Sequence, residues 1–375
     1  MTLIIKNAKV YDMVDIFGQE KILIIENGKI LAIKDLDEKI DENGSEIFDA
    51  QGKIVSPGLV EPSCSLGLKE AIYPDGNDLD EKSNPINPKL RALDGVKITD
   101  QAFEDALKAG VTSLVTGPGS ANIIGGTCLA MKTFGKDLES MIMEDQIAYK
   151  FSLGMGPKYA YGSKGKAPIT RMGTAALLRQ ALSQARDYKN SKKKDFNMDL
   201  EALSRVFDGM LVKIEARQVQ DIVTAVRIAE EFGLNYTIDR AAEAYLIPDF
   251  IKDHQVKLVY GPVYGGKRDN EVLRQEGVGG KILQDQGVSF ATSCNHPEVD
   301  ISTVMVNGLM MVRKKMSGQE LLKSMTINAA KMVGLDHRIG SLEVGKDADI
   351  VVWSGDPLDL YSKAEAVFVN GQRAL

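Results

Sequence analysis

Short runs of alternating apolar and polar residues open and close the chain. The stretch LIIKNAKVYD alternates, and KILIIENGKILAIK contains two such runs around Asn27-Gly28, a dipeptide that favours a two-residue hairpin. Near the other end, ADIVVWSGDP and AEAVFVNGQRAL indicate further strands, with Asn370-Gly371 as a turn. We therefore predict a small composite β-sandwich domain built from both termini, residues 1–55 and 340–375.

The middle of the chain alternates between strand and helix patterns. DQAFEDALKAGV has apolar residues at helical spacing and precedes the apolar run VTSLVTG, and DIVTAVRIAEEFG is followed in the same way by LNYTIDR. Repeated alternation of this kind indicates parallel strands covered by helices. Residues 56–339 have the length of a (β/α)8 TIM barrel, so we predict an α/β fold with that barrel. A doubly wound open sheet is the alternative.

Composition narrows the class of protein. The chain has 375 residues, 44% of them hydrophobic and 26% charged, with a net charge of -6, and these values are typical of a globular protein. Its longest basic run is Lys192–Lys194, which argues against a nucleic-acid partner. No apolar run has the roughly 20 residues that span a bilayer, and no secretory signal is visible at the start. Three cysteines favour a reducing cytoplasm.

The stretch EPSCS ends the first predicted barrel strand. Ser63 and Ser65 lie two apart and should project together, since alternate strand residues share a face. Histidines at this spacing would suit a metal, but the chain has three histidines in all, far apart in sequence, whereas a catalytic zinc takes about three protein ligands. A histidine-rich metal centre would use nearly the whole supply.

Several longer stretches carry a family resemblance. GKIVSPGLVEP, GVTSLVTGPGSANIIGG, TRMGTAALLRQAL and LLKSMTINAAKMVGLDHRIGSLEVGKDADIVVWSGDPL together resemble the amidohydrolase superfamily of metal-dependent hydrolases, in its imidazolonepropionase-like branch. The resemblance covers nearly the whole chain. It implies a metal-dependent (β/α)8 barrel that hydrolyses non-peptide C–N bonds, such as those of cyclic amides or amidines, with zinc or another divalent metal.

The positions that match the family's metal ligands carry other residues. Ser63 and Ser65 stand at the His-x-His of the first strand, and Met155 stands where a Glu or a carboxylated Lys ends the fourth. In KIEARQ of the fifth strand, Glu215 and Arg217 stand at the two histidine positions of the family motif. Arg240 replaces the histidine of the sixth strand, and Asn295 replaces the aspartate that serves the family as ligand and general base.

These substitutions predict that metal-dependent catalysis is lost. Serine and Asn side chains are poor zinc ligands, Arg cannot ligate, and Asn cannot take the proton that the family's Asp would accept. We therefore expect no metal and no cofactor, and a catalytically inactive protein that binds a small molecule or acts as a scaffold. The alternative is an active hydrolase of C–N bonds with a remodelled, metal-independent or atypical metal site.

Two roles are open for the charged residues at these positions. A buried charge must be paired, so Arg240 and Glu215 are expected to form an ion pair where metals would lie. The alternative is that Arg217 or Arg240 binds an anionic ligand such as a carboxylate. The candidate ligand-binding set is completed by neighbours of the eighth strand and comprises Glu215, Arg217, Arg240, Asn295 and His296.

Cysteine chemistry is a weaker hypothesis. Cys64 and His296 follow neighbouring barrel strands and could form a nucleophilic pair. Cys64 lies between the two serines and should point away from the barrel mouth, so a buried, structural cysteine is favoured. A substitute metal site from Cys64, Glu215, Asp239 and Cys294 is favoured even less.

Two loops are expected near the site. TGPGSANIIGG lacks the residues of a phosphate-binding loop and is interpreted as a turn that lines the pocket. The long polar loop Tyr73–Gly95 is interpreted as a lid over it. A homodimer is expected by analogy with the family.

Overall fold

The computed structural model describes residues 2–15, 17–70, 76–193, 195–266 and 270–375. One eight-stranded sheet combines strands from both ends of the chain. Its strands are β1 (Thr2–Tyr11), β2 (Phe17–Glu26), β3 (Lys29–Lys34), β4 (Glu46–Asp49), β5 (Ile54–Pro57), β14 (Ile350–Trp353), β15 (Ala364–Val369) and β16 (Gln372–Arg373). Strands from both termini thus share one sheet, and both Asn-Gly turns connect adjacent strands. The sandwich packing and the domain bounds stay predictions.

A second eight-stranded sheet forms the barrel. Its strands follow one another in chain order around the sheet, and backbone hydrogen bonds nearly close the ring, with the Ser65 amide donating to the His296 carbonyl at 2.8 Å. They are β6 (Leu59–Cys64), β7 (Val111–Thr116), β8 (Ile124–Lys132), β9 (Ile142–Ser152), β10 (Leu211–Glu215), β11 (Tyr236–Asp239), β12 (Lys257–Tyr260) and β13 (Phe290–Thr292).

One barrel strand differs from the predicted all-parallel arrangement. β8 runs antiparallel to both of its neighbours, β7 and β9. The reason is the length of the connection: residues 117–123 are too few for the crossover of about a dozen residues that parallel strands need. The predicted eight-stranded α/β barrel therefore carries a meander of three strands in its first half.

Helices follow most of the parallel strands. The predicted helix after Asp100 is present, with the Asp100 carboxylate accepting from the Ala102 amide, and the helix before Gly233 ends there with that glycine in a left-handed conformation. The helices are α1 (Gln101–Lys108), α2 (Leu138–Met141), α3 (Met155–Gly162), α4 (Arg171–Asn190), α5 (Met198–Ser204), α6 (Val219–Phe232), α7 (Pro248–Asp253), α8 (Val278–Asp285), α9 (Val304–Val312), α10 (Gly318–Ser324) and α11 (Ile327–Met332). In the part of the chain that the structure describes, none is long and apolar enough to cross a bilayer.

The terminal sheet packs against the base of the barrel, where the strands begin. Trp353 is buried there, donates through its indole N–H to the Ser56 hydroxyl at 2.9 Å, and lies so close to Gly110 that a Cβ at this glycine would come within 2.8 Å of the ring. A buried ion cluster lies at the same interface. Lys132 contacts Asp347 at 2.9 Å and Asp349 at 2.5 Å, and we refer to these three residues as the basal cluster.

Candidate functional site

A cavity of about 380 Å³ opens at the other end of the barrel, where the strands finish and barrel enzymes keep their sites. Both loops interpreted from the sequence contribute to it: Gly117 and Ser120 come from the glycine-rich turn, and Leu79 and Asp80 from the polar loop. Residues 73–75 of that loop lie outside the described residues. The charged and polar lining includes Ser63, Ser65, Lys69, Asp80, Ser120, Lys150, Lys213, Arg217, Arg240, Asn295, His296 and Glu298.

Glu215, the last residue of β10, is the centre of a buried ion network. Its Oε1 lies 3.0 Å from Arg240 Nη1 and 3.1 Å from Arg217 Nη2, and its Oε2 lies 2.9 Å from Lys150 Nζ. The hydroxyl of Ser120 donates to the same Oε2. The predicted Arg240–Glu215 ion pair is confirmed, and it belongs to a larger group. Lys150, Glu215, Arg217 and Arg240 are called the mouth cluster below.

The cations of the mouth cluster control the ionisation of Glu215. Burial alone would raise the pKa of this carboxyl, but the charges of Arg240 and Lys150 outweigh it and hold the pKa of Glu215 well below the usual range. Glu215 is therefore an anion at neutral pH and a weak base.

A second buried carboxylate lies beside the first. Asp239 ends β11, directly opposite Glu215 in the parallel ladder. Its oxygens lie 2.9 Å from Lys213 Nζ and accept from the hydroxyls of Ser63 and Thr237, each at 2.8 Å. Lys213 is in turn the ladder partner of Lys150, so two buried lysines stand side by side on the barrel wall.

The two serines of EPSCS line the same cavity, as predicted. Ser63 donates to Asp239, and Ser65 donates to the Gly117 carbonyl at 2.7 Å. Their hydroxyls are thus committed to the protein's own acceptors. Sequence inspection did not single out Glu61 of the same strand, which is buried and accepts from the Ser293 hydroxyl and the Cys294 amide.

Two site residues adopt a left-handed backbone. Arg240 directly follows β11 with φ of 56°, and Asn295 follows β13 with φ of 50°. Non-glycine residues adopt this region rarely, and such positions cluster at functional sites. The turn at Asn295 leads the chain to Glu298, whose Oε2 contacts Arg240 Nη2 and lies 3.7 Å from Arg217 Nη2.

Met155 does not take the place expected at the end of the fourth strand of the family barrel. It begins helix α3, after β9 has ended at Ser152, and its amide donates to Glu271 at 2.7 Å. The side chain from β9 that lines the cavity is Lys150. The expectation for Met155 is therefore wrong, because the strand ends earlier than the motif spacing suggested.

Neither Cys64 nor Cys294 is activated as a nucleophile. Burial raises the pKa of the Cys64 thiol, whose Sγ lies 3.5 Å from the Val115 carbonyl oxygen, and burial also raises the pKa of Cys294 well above its usual value. Both effects oppose the thiolate that a nucleophile needs. His296 accepts from the Ile301 amide at 3.3 Å through Nδ1, and burial lowers its pKa, so its ring is neutral with the proton on Nε2.

The donor set does not fit a divalent metal. Within the described ranges, no group of three or more His, Cys, Asp or Glu side chains is arranged to hold a metal ion. Asp239 and Glu215 each have a lysine Nζ at 2.9 Å, and an ammonium at that distance repels a bound cation. The proposed alternative of Cys64, Glu215, Asp239 and Cys294 also fails this test.

Sequence inspection missed the two lysines and Glu298. The lysines had a signal, because LVKIE and AYKFS each place one Lys within an otherwise apolar strand, two residues before a strand end that faces the mouth. No sequence pattern marked Glu298, because its approach to the arginines depends on the path of the loop after β13.

Comparisons with known proteins agree with this architecture. The amidohydrolase family model matches residues 235–374. The solved structure of an amidohydrolase from Thermotoga maritima MSB8 is 33% identical, covers 100% of this chain and 99% of its own, and superposes with a TM-score of 0.94. The imidazolonepropionase of Shewanella halifaxensis is 24% identical over 88% of this chain and 86% of its own length.

A third relative is longer than this chain. The amidohydrolase TasK of Hapsidospora irregularis is 26% identical over 92% of this chain, and the match spans 39% of TasK. Together with the structural match, these similarities define the class as an amidohydrolase barrel fold. The chain belongs to the amidohydrolase family and is similar to its imidazolonepropionase-like members.

Proposed function

We propose that this amidohydrolase-family protein binds a small molecule in the mouth cavity and does not carry out the metal-dependent hydrolysis of its relatives. Hydrolysis by the family's metals requires a bound water made acidic by the metal. At the positions matched to the metal ligands, this chain has Ser63, Ser65, Glu215, Arg240 and Asn295. The proposal is based on the loss of metal-ligating side chains at these positions.

One observation carries it. The carboxylate of Glu215 is surrounded by Lys150, Arg217 and Arg240 at 2.9 to 3.1 Å, so the place where a metal would need anionic ligands is filled by cations. Replacing this arrangement by a metal would require at least two buried cations to lose their partner, which is costly. The adjacent cavity of about 380 Å³ falls within the range of small-molecule sites.

Turnover assays test this proposal. The purified protein is incubated with a panel of cyclic amides and amidines, once after dialysis against a chelator and once after loading with zinc or manganese. We expect no hydrolysis above the uncatalysed rate in either state. Hydrolysis that appears on metal loading and disappears on chelation contradicts the proposal.

A metal-independent hydrolase is the second candidate. Ser120 lines the cavity, and its hydroxyl shares Glu215 Oε2 with Lys150, which resembles the serine-lysine arrangement of some hydrolases. It ranks second because Glu215, held ionised with a low pKa, is too weak a base to take the serine proton. Chelator-resistant turnover that S120A abolishes would favour this candidate.

The remaining expectations stay predictions. These are the cytoplasmic location, the homodimer, and the absence of nucleic-acid and membrane partners. A scaffold role without any ligand is the variant of the proposal in which the cavity has become purely structural.

A further inference from the structure

Two arginines lie between two carboxylates at the wall of the cavity. Arg217 Nη2 is 3.1 Å from Glu215 Oε1 on one side and 3.7 Å from Glu298 Oε2 on the other. Arg240 contacts the same two oxygens, Glu215 Oε1 at 3.0 Å and Glu298 Oε2. The guanidinium pair is therefore shared by one carboxylate from β10 and one from the loop after β13, and Arg217 Nε also lies 3.9 Å from Glu271 Oε2.

The two carboxylates are held very differently. The Glu215 side chain is 5% exposed and is also bound by Lys150 and Ser120, so it is fixed within the barrel. The Glu298 side chain is 30% exposed, lies in a loop at the rim, and lines the cavity. An exposed carboxylate gains little from an ion pair, so Glu298 can leave the arginines at small cost.

The surface offered to a ligand is basic. Among the residues that the structure describes, five basic side chains line the cavity, against the two carboxylates of Asp80 and Glu298. Glu215 and Asp239 are not among the lining residues, and they neutralise part of this charge through their ion pairs with Lys150 and Lys213. The basic lining consists of Lys69, Lys150, Lys213, Arg217 and Arg240.

We propose that Arg217 and Arg240 bind the carboxylate group of a small organic acid, and that Glu298 occupies this place in the free protein. The inference rests on the proposed ligand-binding function and names the ligand's chemical class. Guanidinium groups recognise planar carboxylates through paired hydrogen bonds. Glu298 is then a built-in competitor, which a ligand carboxylate displaces while the rest of the ligand fills the cavity.

Isothermal titration calorimetry tests this assignment. The two ligands are glutarate and glutaramide, its uncharged diamide. We expect glutarate to bind and glutaramide to bind at least about tenfold more weakly, the scale of one charge-assisted hydrogen bond. R217Q should weaken glutarate binding by a similar factor. E298Q should strengthen it several-fold, because the variant removes the competing charge but keeps the shape of the side chain.

A surface pair provides matched controls. Arg179 and Glu231 form an ion pair at 2.7 Å on helices α4 and α6, and neither lines the cavity. R179Q and E231Q should leave glutarate binding unchanged. Thermal unfolding followed by circular dichroism checks that each variant folds, and R217K replaces R217Q if the latter does not, because Lys keeps the charge but loses the paired donors.

The outcomes separate the two proposals. Equal binding of glutaramide and glutarate, or glutarate binding that R217Q leaves unchanged, overturns the carboxylate assignment while ligand binding stands. An E298Q variant that weakens glutarate as much as R217Q does overturns the displacement by showing that Glu298 helps to hold the ligand. Inorganic phosphate that binds through Arg217 in place of glutarate also overturns the assignment. Zinc-dependent turnover contradicts the proposed function itself.

Discussion

The basal cluster and the mouth cluster are two solutions to burying charge in one barrel. At the base, Lys132 lies between Asp347 and Asp349, and all three side chains are at most 4% exposed. At the mouth, Arg217 and Arg240 share a buried Glu215 with an exposed Glu298, beside a cavity. The three basal residues do not line that cavity, and Asp347 also pairs with the partly exposed Lys29 and Arg338, whereas at the mouth we propose that one anion can be exchanged.

The comparison shows how a structural cluster of buried charges can be distinguished from a functional one. Both clusters satisfy the rule that buried charges are paired, so pairing alone does not identify a site. A cavity that adjoins the charged groups does identify one. In barrel proteins the base generally serves stability and the strand ends serve chemistry, and the two clusters follow that division.

The largest effect is expected from breaking the basal cluster. K132M removes the cation shared by Asp347 and Asp349. Asp347 keeps Lys29 and Arg338, but the buried Asp349 loses the Lys132 ammonium, which should lower the free energy of unfolding by about 3–5 kcal/mol. Urea denaturation measures this. Glutarate affinity should be unchanged in the folded variant, and K189M, at an exposed pair with Asp208, is the control that should change little. A stability loss no greater than that of the control would show that the base is not a structural ion cluster.

A somewhat smaller, pH-dependent loss is expected at the mouth. E215Q removes the anion shared by Lys150 and two arginines, so stability near neutral pH should fall by about 3 kcal/mol. Because the pKa of Glu215 is depressed in the fold, its stabilisation is complete above the unfolded value of about 4.3 and is lost as pH falls below it.

Urea titrations at several pH values check this sign. The difference between wild type and E215Q should be constant at neutral pH and should shrink in acid. A difference that is the same at every pH would contradict the low pKa. Unlike K132M, E215Q should also weaken glutarate binding, since it releases the arginines from their fixed positions.

The smallest effect concerns His296. Burial lowers its pKa, against weaker opposing influences of Asp300, Asp100 and Asp105, so the fold holds the ring neutral. Stability should therefore decline as pH falls below the unfolded value of about 6.5, and H296Q should remove that part of the decline. Melting temperatures on both sides of that pH measure it. H337Q, at an exposed histidine, is the control, and equal pH profiles for H296Q and wild type would refute the assignment.

More of the fold than of the candidate site could be predicted from the sequence. Local turn chemistry at Asn27-Gly28 and Asn370-Gly371, helix caps and strand periodicity predicted the terminal sheet and the alternating middle, because these signals act between near neighbours. The antiparallel β8 was not predicted, although its short connection carried a signal for it. The ion pair of Arg240 and Glu215 followed from the rule that buried charges pair.

The rest depended on positions that no local pattern specifies. Met155 was misplaced because a shift of a few residues at a strand end moves a side chain from the barrel to a helix. Lys150 and Lys213 meet only when two distant strands pair in register. Glu298 reaches the arginines through a loop whose course is set by the left-handed Asn295, and such contacts emerge only from the folded chain.

In the function proposed for this amidohydrolase barrel, side-chain cations and not a divalent metal occupy the mouth. Native mass spectrometry of the protein after incubation with excess zinc and removal of free metal tests it most directly. We expect the mass of the metal-free chain, with zinc far below one ion per chain. A mass increased by one or two zinc ions, retained in wild type and lost in E215Q, would contradict it.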